Sequence, residues 1–402
     1  MSEWRILKLG EVISSNNQSI NKNYPYSVIQ YLDTGSITNG KIESFQEVNL
    51  KEAPSRAKRL VKHQDIIYST VRPIQRHFGF IENPLNNLVV STGFSVIETN
   101  QTLACPKFVY YFLSSDEIVE ELDVIAEAST TTYPSLKPKD IENLDISLPP
   151  LKEQKAIAEV LSCLDDKIDL LHRQNKTLEE MAQTLFRQWF IEEAKDEWEE
   201  KPLKEFCIKI TKGTTPTTLK KQFVDKGINF IKVNCIDDNG NYLVDKFNFI
   251  DEDTNRLLNR SQLQEGDILY SIAGTIGRIS VVSKDILPAN VNQALSIIRV
   301  DENKINSNYI RYCIKDKNIT FELHSKIVHA VQPNLSLGEI SNTLIPLPDK
   351  DTLNKFSLSV DLIEEKVAKN KQQIKTLENM RDTLLPKLMS GEVKIQLIDK
   401  GK

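Results

Sequence analysis

The eight residues Gln174–Met181, "QNKTLEEM", return as "QIKTLENM" at Gln373–Met380, 199 residues later in a chain of 402. The phrase belongs to a longer pattern. Ile157, Leu164, Leu171, Leu178 and Leu185 recur every seven residues, and Leu161, Ile168, Asn175, Ala182 and Trp189 follow them at the same period. Alternating steps of three and four over several heptads predict a coiled-coil seam rather than a helix packed alone on its own domain. A second seam holds Phe356, Ile363, Asn370, Leu377 and Leu384, interleaved with Val360, Val367, Ile374, Arg381 and Leu388. Prolines stand before both helices, in "LPPL" (148–151) and "IPLPD" (345–349), where a missing N–H costs nothing.

Each seam carries one asparagine, and the two fall in opposite heptad classes. In an antiparallel pair facing residues have a constant sum, so setting Asn175 opposite Asn370 places Leu171 on Ile374, Leu178 on Val367, Ala182 on Ile363 and Trp189 on Phe356. A buried asparagine trades stability for register. One layer fits less well, Leu164 against Arg381, whose stem would have to turn outward. Two solvent-facing asparagines remain the simpler alternative at this point.

The duplication extends upstream of the helices. "DIIYST" (65–70) matches "DILYSI" (267–272), "FSVIE" (94–98) matches "LSIIR" (295–299), and "YPSLKPKDIENL" from Tyr133 matches "QPNLSLGEISNT" from Gln332. A period near 200 means two domain-sized copies, not a solenoid. Short β-branched runs separated by turn signals such as "TNG" and "DDNG" predict a mixed α/β (α+β) head with a mainly antiparallel sheet. The expected organisation is a first head at 1–148, a spacer helix at 149–192, a second head at 193–345, a second spacer helix at 346–392 and a tail at 393–402. The two helices are expected to form one antiparallel coiled coil and to act as a ruler between two similar heads.

Charge is distributed unevenly. The chain has a formal net charge of −5, with 40% hydrophobic and 27% charged residues. Yet residues 51–80 hold seven Lys/Arg against two acidic groups, and residues 201–232 hold eight against two. Such segments neutralise phosphates and read base edges; a solvated basic loop without function is the alternative. The candidates for DNA contact are Arg56, Lys58, Arg59, Arg72 and Arg76 in the first head, and Lys212, Thr214, Lys220, Lys221 and Arg278 in the second. The polar loops 127–136 and 326–335 occupy equivalent places and add Thr131, Gln332 and Asn334. Loops that vary on a repeated scaffold are natural specificity determinants.

Catalytic signatures are missing. No glycine-rich cofactor fingerprint follows a strand, "GTIGRIS" lacks the Walker A spacing and lysine, and the five histidines have no metal-ligand spacing. A nuclease-like string of Pro348, Asp349, Glu364 and Lys366 straddles a helix start, where its carboxylates could not converge. The five cysteines form no CxxC pair, no apolar run approaches membrane-spanning length and nothing resembles a signal peptide, so a cytoplasmic protein with reduced thiols is expected.

In order, spacing and duplication the chain resembles the specificity subunit of a Type I restriction–modification enzyme. The features are "KLGEVI" (8–13), "DIIYSTVRPIQRHFGFI" (65–81), "TKGTTPTT" (211–218), "GDILYSIAGTIGRI" (266–279), the helical stretch "LPPLKEQKAIAEVLSCLDDKIDLLHRQNKTLEEMAQTLFRQWF" (148–190) and "LLPKLMSGEV" (384–393). The resemblance covers nearly the whole chain. It implies two target recognition domains that each read one half of a split sequence in double-stranded DNA. It also implies a spacer that sets the gap and docks two methyltransferase subunits, and two restriction subunits beyond those. S-adenosylmethionine, ATP and Mg would serve the partners, with no cofactor, metal or catalytic residue in this chain and no membrane association. DNA-contacting residues do not transfer position by position, because recognition domains vary within the family. Two other readings share parts of this layout: the recognition subunit of a fused restriction–methylation enzyme, and a two-headed scaffold that binds no DNA. The first head has "STVRPIQ" where the second has "SIAGTIG", so the two are expected to read different half-sites, the glycines of the second allowing close backbone approach.

Overall fold

A computed structural model describes residues 4–129, 134–195, 197–326 and 333–395. The chain divides into two compact units, one formed by residues 1–172 with 371–402 and the other by 173–370. Each unit contains one head and a portion of both long helices.

The main sheets of the two heads match strand for strand. A four-stranded sheet in the first head runs in the order Ile13–Ser15, Phe94–Thr99, Ile66–Ser69, Phe78–Phe80; in the second it runs Cys207–Lys212, Leu295–Val300, Ile268–Ser271, Ile279–Val281. Every neighbouring pair in these sheets is antiparallel. The sequence suggests one mainly antiparallel sheet per head, but the structure has a second sheet in each. It comprises Gln46–Asn49, Val28–Leu32, Leu88–Ser91 and Ala57–Leu60 in the first head, and Asn248–Ile250, Ile228–Ile231 and Ala289–Val291 in the second. Each second sheet has one parallel pair, Leu88–Ser91 with Val28–Leu32 and Ile228–Ile231 with Ala289–Val291. Parallel neighbours need long crossovers, which short-range turn signals do not announce.

The central strand explains the division. Ile66–Ser69 and Ile268–Ser271 are buried at every position. Successive side chains of a strand point to opposite faces. Accordingly Ile66 and Tyr68 enter the core shared with the helices, while Ile67 enters the core facing the second sheet. Ile268 and Tyr270 are divided from Leu269 in the same way. A strand covered on both faces reads as an unbroken apolar run.

A short antiparallel ribbon closes each head at the base of its long helix: Arg5–Lys8 with Asp145–Leu148, and Glu199–Pro202 with Leu344–Leu347. The long helices follow at Leu151–Arg187 and Lys350–Met389. The first ends at Arg187, short of the expected 192, in a wide turn over Gln188–Glu192 that buries Phe190 in the second head's core. Asp349 starts the second helix, its carboxylate accepting from the Thr352 N–H at 2.9 Å.

The seam residues of both helices are buried or half-buried throughout. In the first unit Ile168, Leu171 and Ile374 form a small core with Leu377 beside it. In the second unit Trp189 meets Phe356 edge-on, ring centroids 6.2 Å apart, and Ala182 shares a core with Ile363. In the second unit, too, Asn370 Nδ2 donates to Asn175 Oδ1 at 2.8 Å, both residues being buried. These neighbours run in opposite chain directions, as an antiparallel pair requires. Arg381 does not turn out to water as expected; its guanidinium lies 3.2 Å from Asp165.

Asp165 also receives the Tyr111 hydroxyl at 2.7 Å, which ties the first head's helix Pro106–Ser114 to the long helix. Glu364 takes the equivalent place in the second unit, accepting from the Tyr312 hydroxyl at 2.9 Å and pairing with Arg311. The same latch is thus written twice with different carboxylates.

The asparagine pair predicts an asymmetry in stability. Asn370→Leu alone leaves a buried amide without its partner and should cost about 1–3 kcal/mol. The double change Asn175→Leu with Asn370→Leu should recover that loss, because paired apolar groups replace the polar pair. Thermal unfolding of the three proteins tests this, and a double variant no more stable than the single one would contradict it.

Candidate nucleic-acid interface

In each head the structure brings together two segments that are distant in sequence. The turn after the central strand of the first head lies beside the loop that ends at Leu136: Leu136 N donates to Thr70 O at 2.7 Å, Arg72 N donates to Pro134 O at 3.2 Å, and Val71 bridges Ser135. In the second head Leu335 N donates to Ile272 O at 2.9 Å and Ala273 bridges Asn334. Each head therefore presents a composite edge, a strand-to-strand turn flanked by a polar loop. Thr131 and Gln332 lie outside the described residues; Asn334 is exposed at the bridge.

The turns are built alike and finished differently. Ser69 and Ser271 are buried at their base, Ser69 Oγ donating to Val71 O at 3.0 Å and Ser271 Oγ to Thr275 O at 2.6 Å. In the second head Gly274 and Gly277 have φ of +75° and +94°. A Cβ on Gly274 would meet nothing within 4 Å, so the glycine serves backbone conformation there, not the close approach that the sequence suggests. The close approach occurs at Gly213 in "TKGTTP", where a Cβ would collide with the Val291 carbonyl.

The basic candidates separate into groups. Arg56, Lys58, Arg72 and Lys220 are exposed. Arg59 is half-buried on the strand Ala57–Leu60, its Nε has no partner, and burial pulls its pKa down. Arg76 pairs with Asp116 at 2.6 Å, and Arg278 holds Asp238 at 2.6 Å and the Ile236 carbonyl at 2.8 Å. These two arginines brace their turns from within the head, a role that charge density in the sequence does not distinguish from DNA contact. Lys212 and Thr214 are half-buried at the start of the "TKGTTP" loop, and Lys221 is half-buried beside exposed Lys220.

Sequence reasoning missed Arg260. It is exposed, and its guanidinium reaches Lys212 O and Thr214 Oγ1, each at 3.4 Å. It lies outside both basic segments, so only the fold joins it to them. Lys209 sits in the same neighbourhood, where burial, Arg299 and Arg260 lower its pKa. Among the described residues no group of three or more His, Cys, Asp or Glu could hold a metal ion. Asp349 and Glu364 of the nuclease-like string are occupied as a helix cap and a latch.

One buried charge separates the heads. Arg299 grips Asp267 with two 2.7 Å bonds. The first head has Glu98 where the second has Arg299, so Asp65 is buried without that cation. Its carboxylate accepts from the Lys62 N–H at 2.7 Å, and burial together with Glu98 raises its pKa to about 6.

Two duplicated α/β heads with basic turns and paired long helices define a class of DNA-recognition proteins built as internal repeats. The profile of the Type I restriction modification DNA specificity domain matches residues 1–180 and 195–379, and the chain belongs to that family. It is similar to the Type I restriction enzyme HindI specificity subunit of Haemophilus influenzae, 27% identical over 98% of this chain and the whole of the relative. It is also 28% identical to the MjaIX specificity subunit of Methanocaldococcus jannaschii, over 79% of this chain and 76% of that one. In fold it matches the S subunit of a Type I restriction–modification system from M. genitalium, with a TM-score of 0.56, 18% identity and coverage of 99% and 97% of the two chains.

The environment of Asp65 sets a pH dependence. In the unfolded chain the carboxyl has its ordinary value near 3.8, and in the folded one about 6. The folded state therefore binds the extra proton between those values, and stability falls as pH rises through that window. Asp65→Asn keeps the acceptor for Lys62 N–H and removes the buried charge. It should stabilise the first head by on the order of 2 kcal/mol above pH 6, the gain vanishing below pH 4. Unfolding midpoints measured across pH 4–8 check both limbs.

Proposed function

We propose that this chain is the DNA-reading subunit of a Type I restriction–modification complex, each head reading one half of a bipartite target in double-stranded DNA. The observation that supports it most is the repeated turn-and-loop edge: one scaffold used twice, with different side chains at matching places. Arg56, Lys58, Lys212, Lys220, Lys221 and Arg260 supply phosphate contacts, and the composite edges supply base readout. Phosphate contacts position a protein on the duplex and base contacts specify the sequence.

The paired helices set the gap between half-sites and carry the docking surface for two methyltransferase subunits, with two restriction subunits joining them. Adenine methylation with S-adenosylmethionine, and ATP- and Mg-dependent translocation and cleavage, belong to those partners. This chain contributes recognition, not catalysis. No helix of the described residues is long and apolar enough to cross a membrane.

The test is the pattern of methylated adenines in DNA from cells that express this chain with its neighbouring methyltransferase. A split motif with a fixed gap is expected. No new methylation, with the methyltransferase active alongside another recognition subunit, would favour a scaffold that binds no DNA.

Two further outcomes follow from the proposed roles. Changing Lys220 and Lys221 to Ala should weaken binding across all sequences and flatten the dependence of affinity on salt, by about one unit of log–log slope per lost phosphate contact. An unchanged slope would remove both lysines from the interface. Deleting residues 168–174 together with 371–377 takes out one facing heptad from each helix, about 10 Å of rise. The gap in the methylated motif should then shorten by roughly three base pairs at 3.4 Å each. A constant gap would mean that the helices do not set it.

A further inference from the structure

The turn of the first head holds arginine in backbone conformations where the second head has glycine. Arg72 has φ 48° and ψ 71°, and Arg76 has φ 55° and ψ 38°, both left-handed. Their counterparts are Gly274 and Gly277. Side chains strain the backbone in this region and glycine does not. The fold's own second copy shows that glycine is accepted at both places. Of the described non-glycine residues with positive φ, three are asparagines, which tolerate it; the other four are Gln64, Arg72, Arg76 and Lys220. Two of those four, Arg72 and Lys220, are exposed basic residues of the candidate interface, and strained positions concentrate at functional sites.

Contacts hold the strained turn in place. Ile74 N donates to Asp123 Oδ1 at 3.1 Å, and Arg76 pairs with Asp116 on the same helix. Arg72 is exposed at the head of the turn, its N–H donating to the Pro134 carbonyl at 3.2 Å. Lysine is a point charge, whereas the guanidinium is a planar fork that matches the paired acceptors of guanine.

We propose that Arg72 is a base-reading residue of the first head, its guanidinium taking the O6 and N7 acceptors of a guanine in the major groove. Arg76 is a positioning residue that holds the turn through Asp116. This rests on the DNA-recognition reading above.

The test uses the full chain assembled with its methyltransferase, assayed against duplexes carrying each base at every position of both half-sites. Arg72→Gly restores the residue type that the second head uses, so it should fold with an unfolding midpoint at or above that of the parent. It should lose about 10- to 100-fold of discrimination at one position of one half-site, with the other half-site untouched. Arg72→Lys should relax the same position while keeping overall affinity. Asp116→Ala should disturb that position, with recovery in Asp116→Glu; a loss of stability that leaves base preference intact would make the pair merely structural. If Arg72→Gly weakens all sequences equally and Arg72→Lys restores binding, the contact is to phosphate and the proposal is overturned. An unchanged specificity profile overturns it as well. A parent complex without any bipartite preference would defeat the DNA-recognition reading itself, a result distinct from either.

Discussion

Two buried asparagine amides 2.8 Å apart interrupt a mostly apolar seam, and the register they mark is the one that the rest of each unit uses. Apolar layers alone tolerate a slip of one heptad, because an apolar side chain meets another again after seven residues. An amide moved one heptad would face an apolar layer and leave its donors and acceptor buried without partners. Register then decides which side chain of the second helix Asp165 of the first helix meets, Arg381. Asp165 meets Tyr111 and Arg381 in the first unit, and Glu364 meets Tyr312 and Arg311 in the second. Both carboxylates lie at matching places in the repeat, and each ties a head to the long helix that follows it.

The heads show which parts of a duplicated domain are held by physics and which can diverge. Ile66–Ser69 and Ile268–Ser271 are covered on both faces, so a change there alters two cores at once. The turns that leave these strands are half in solvent and have drifted to arginine in one head and glycine in the other. A structural charge differs as well: the second head has the Asp267–Arg299 pair where the first has Asp65 beside Glu98. Neutralising a buried carboxylate with a fixed cation or by raising its pKa are two solutions to the same desolvation problem.

The long helices were legible because heptad spacing is a local property of sequence, and the pairing followed from the positions of two asparagines. The duplication of the heads was legible from "DIIYST" and "DILYSI". The second sheet was not, since the parallel pairing of Leu88–Ser91 with Val28–Leu32 joins segments more than fifty residues apart. Charge density in the sequence gathered Arg76 and Arg278 with the exposed basic residues, although both are engaged with aspartates from other elements. It passed over Arg260 for the converse reason, because that residue reaches the basic loop only through the fold. Density counts charges; it does not show where each side chain is directed or what already holds it.

The two units differ in how the chain supplies them. The second is one continuous stretch, residues 173–370, whereas the first needs both ends of the chain, residues 1–172 and 371–402. Leu388 is buried in the first head's core, with Leu384, Leu385 and Met389 packed around it, and Gly391 lies against Trp4. A growing chain therefore releases all of its first head early and yet cannot close that head's core until the helix Lys350–Met389 has been made. Residues of the second long helix, made after the whole of the second head, thus complete the first unit's core, against the order in which N-terminal domains usually finish folding.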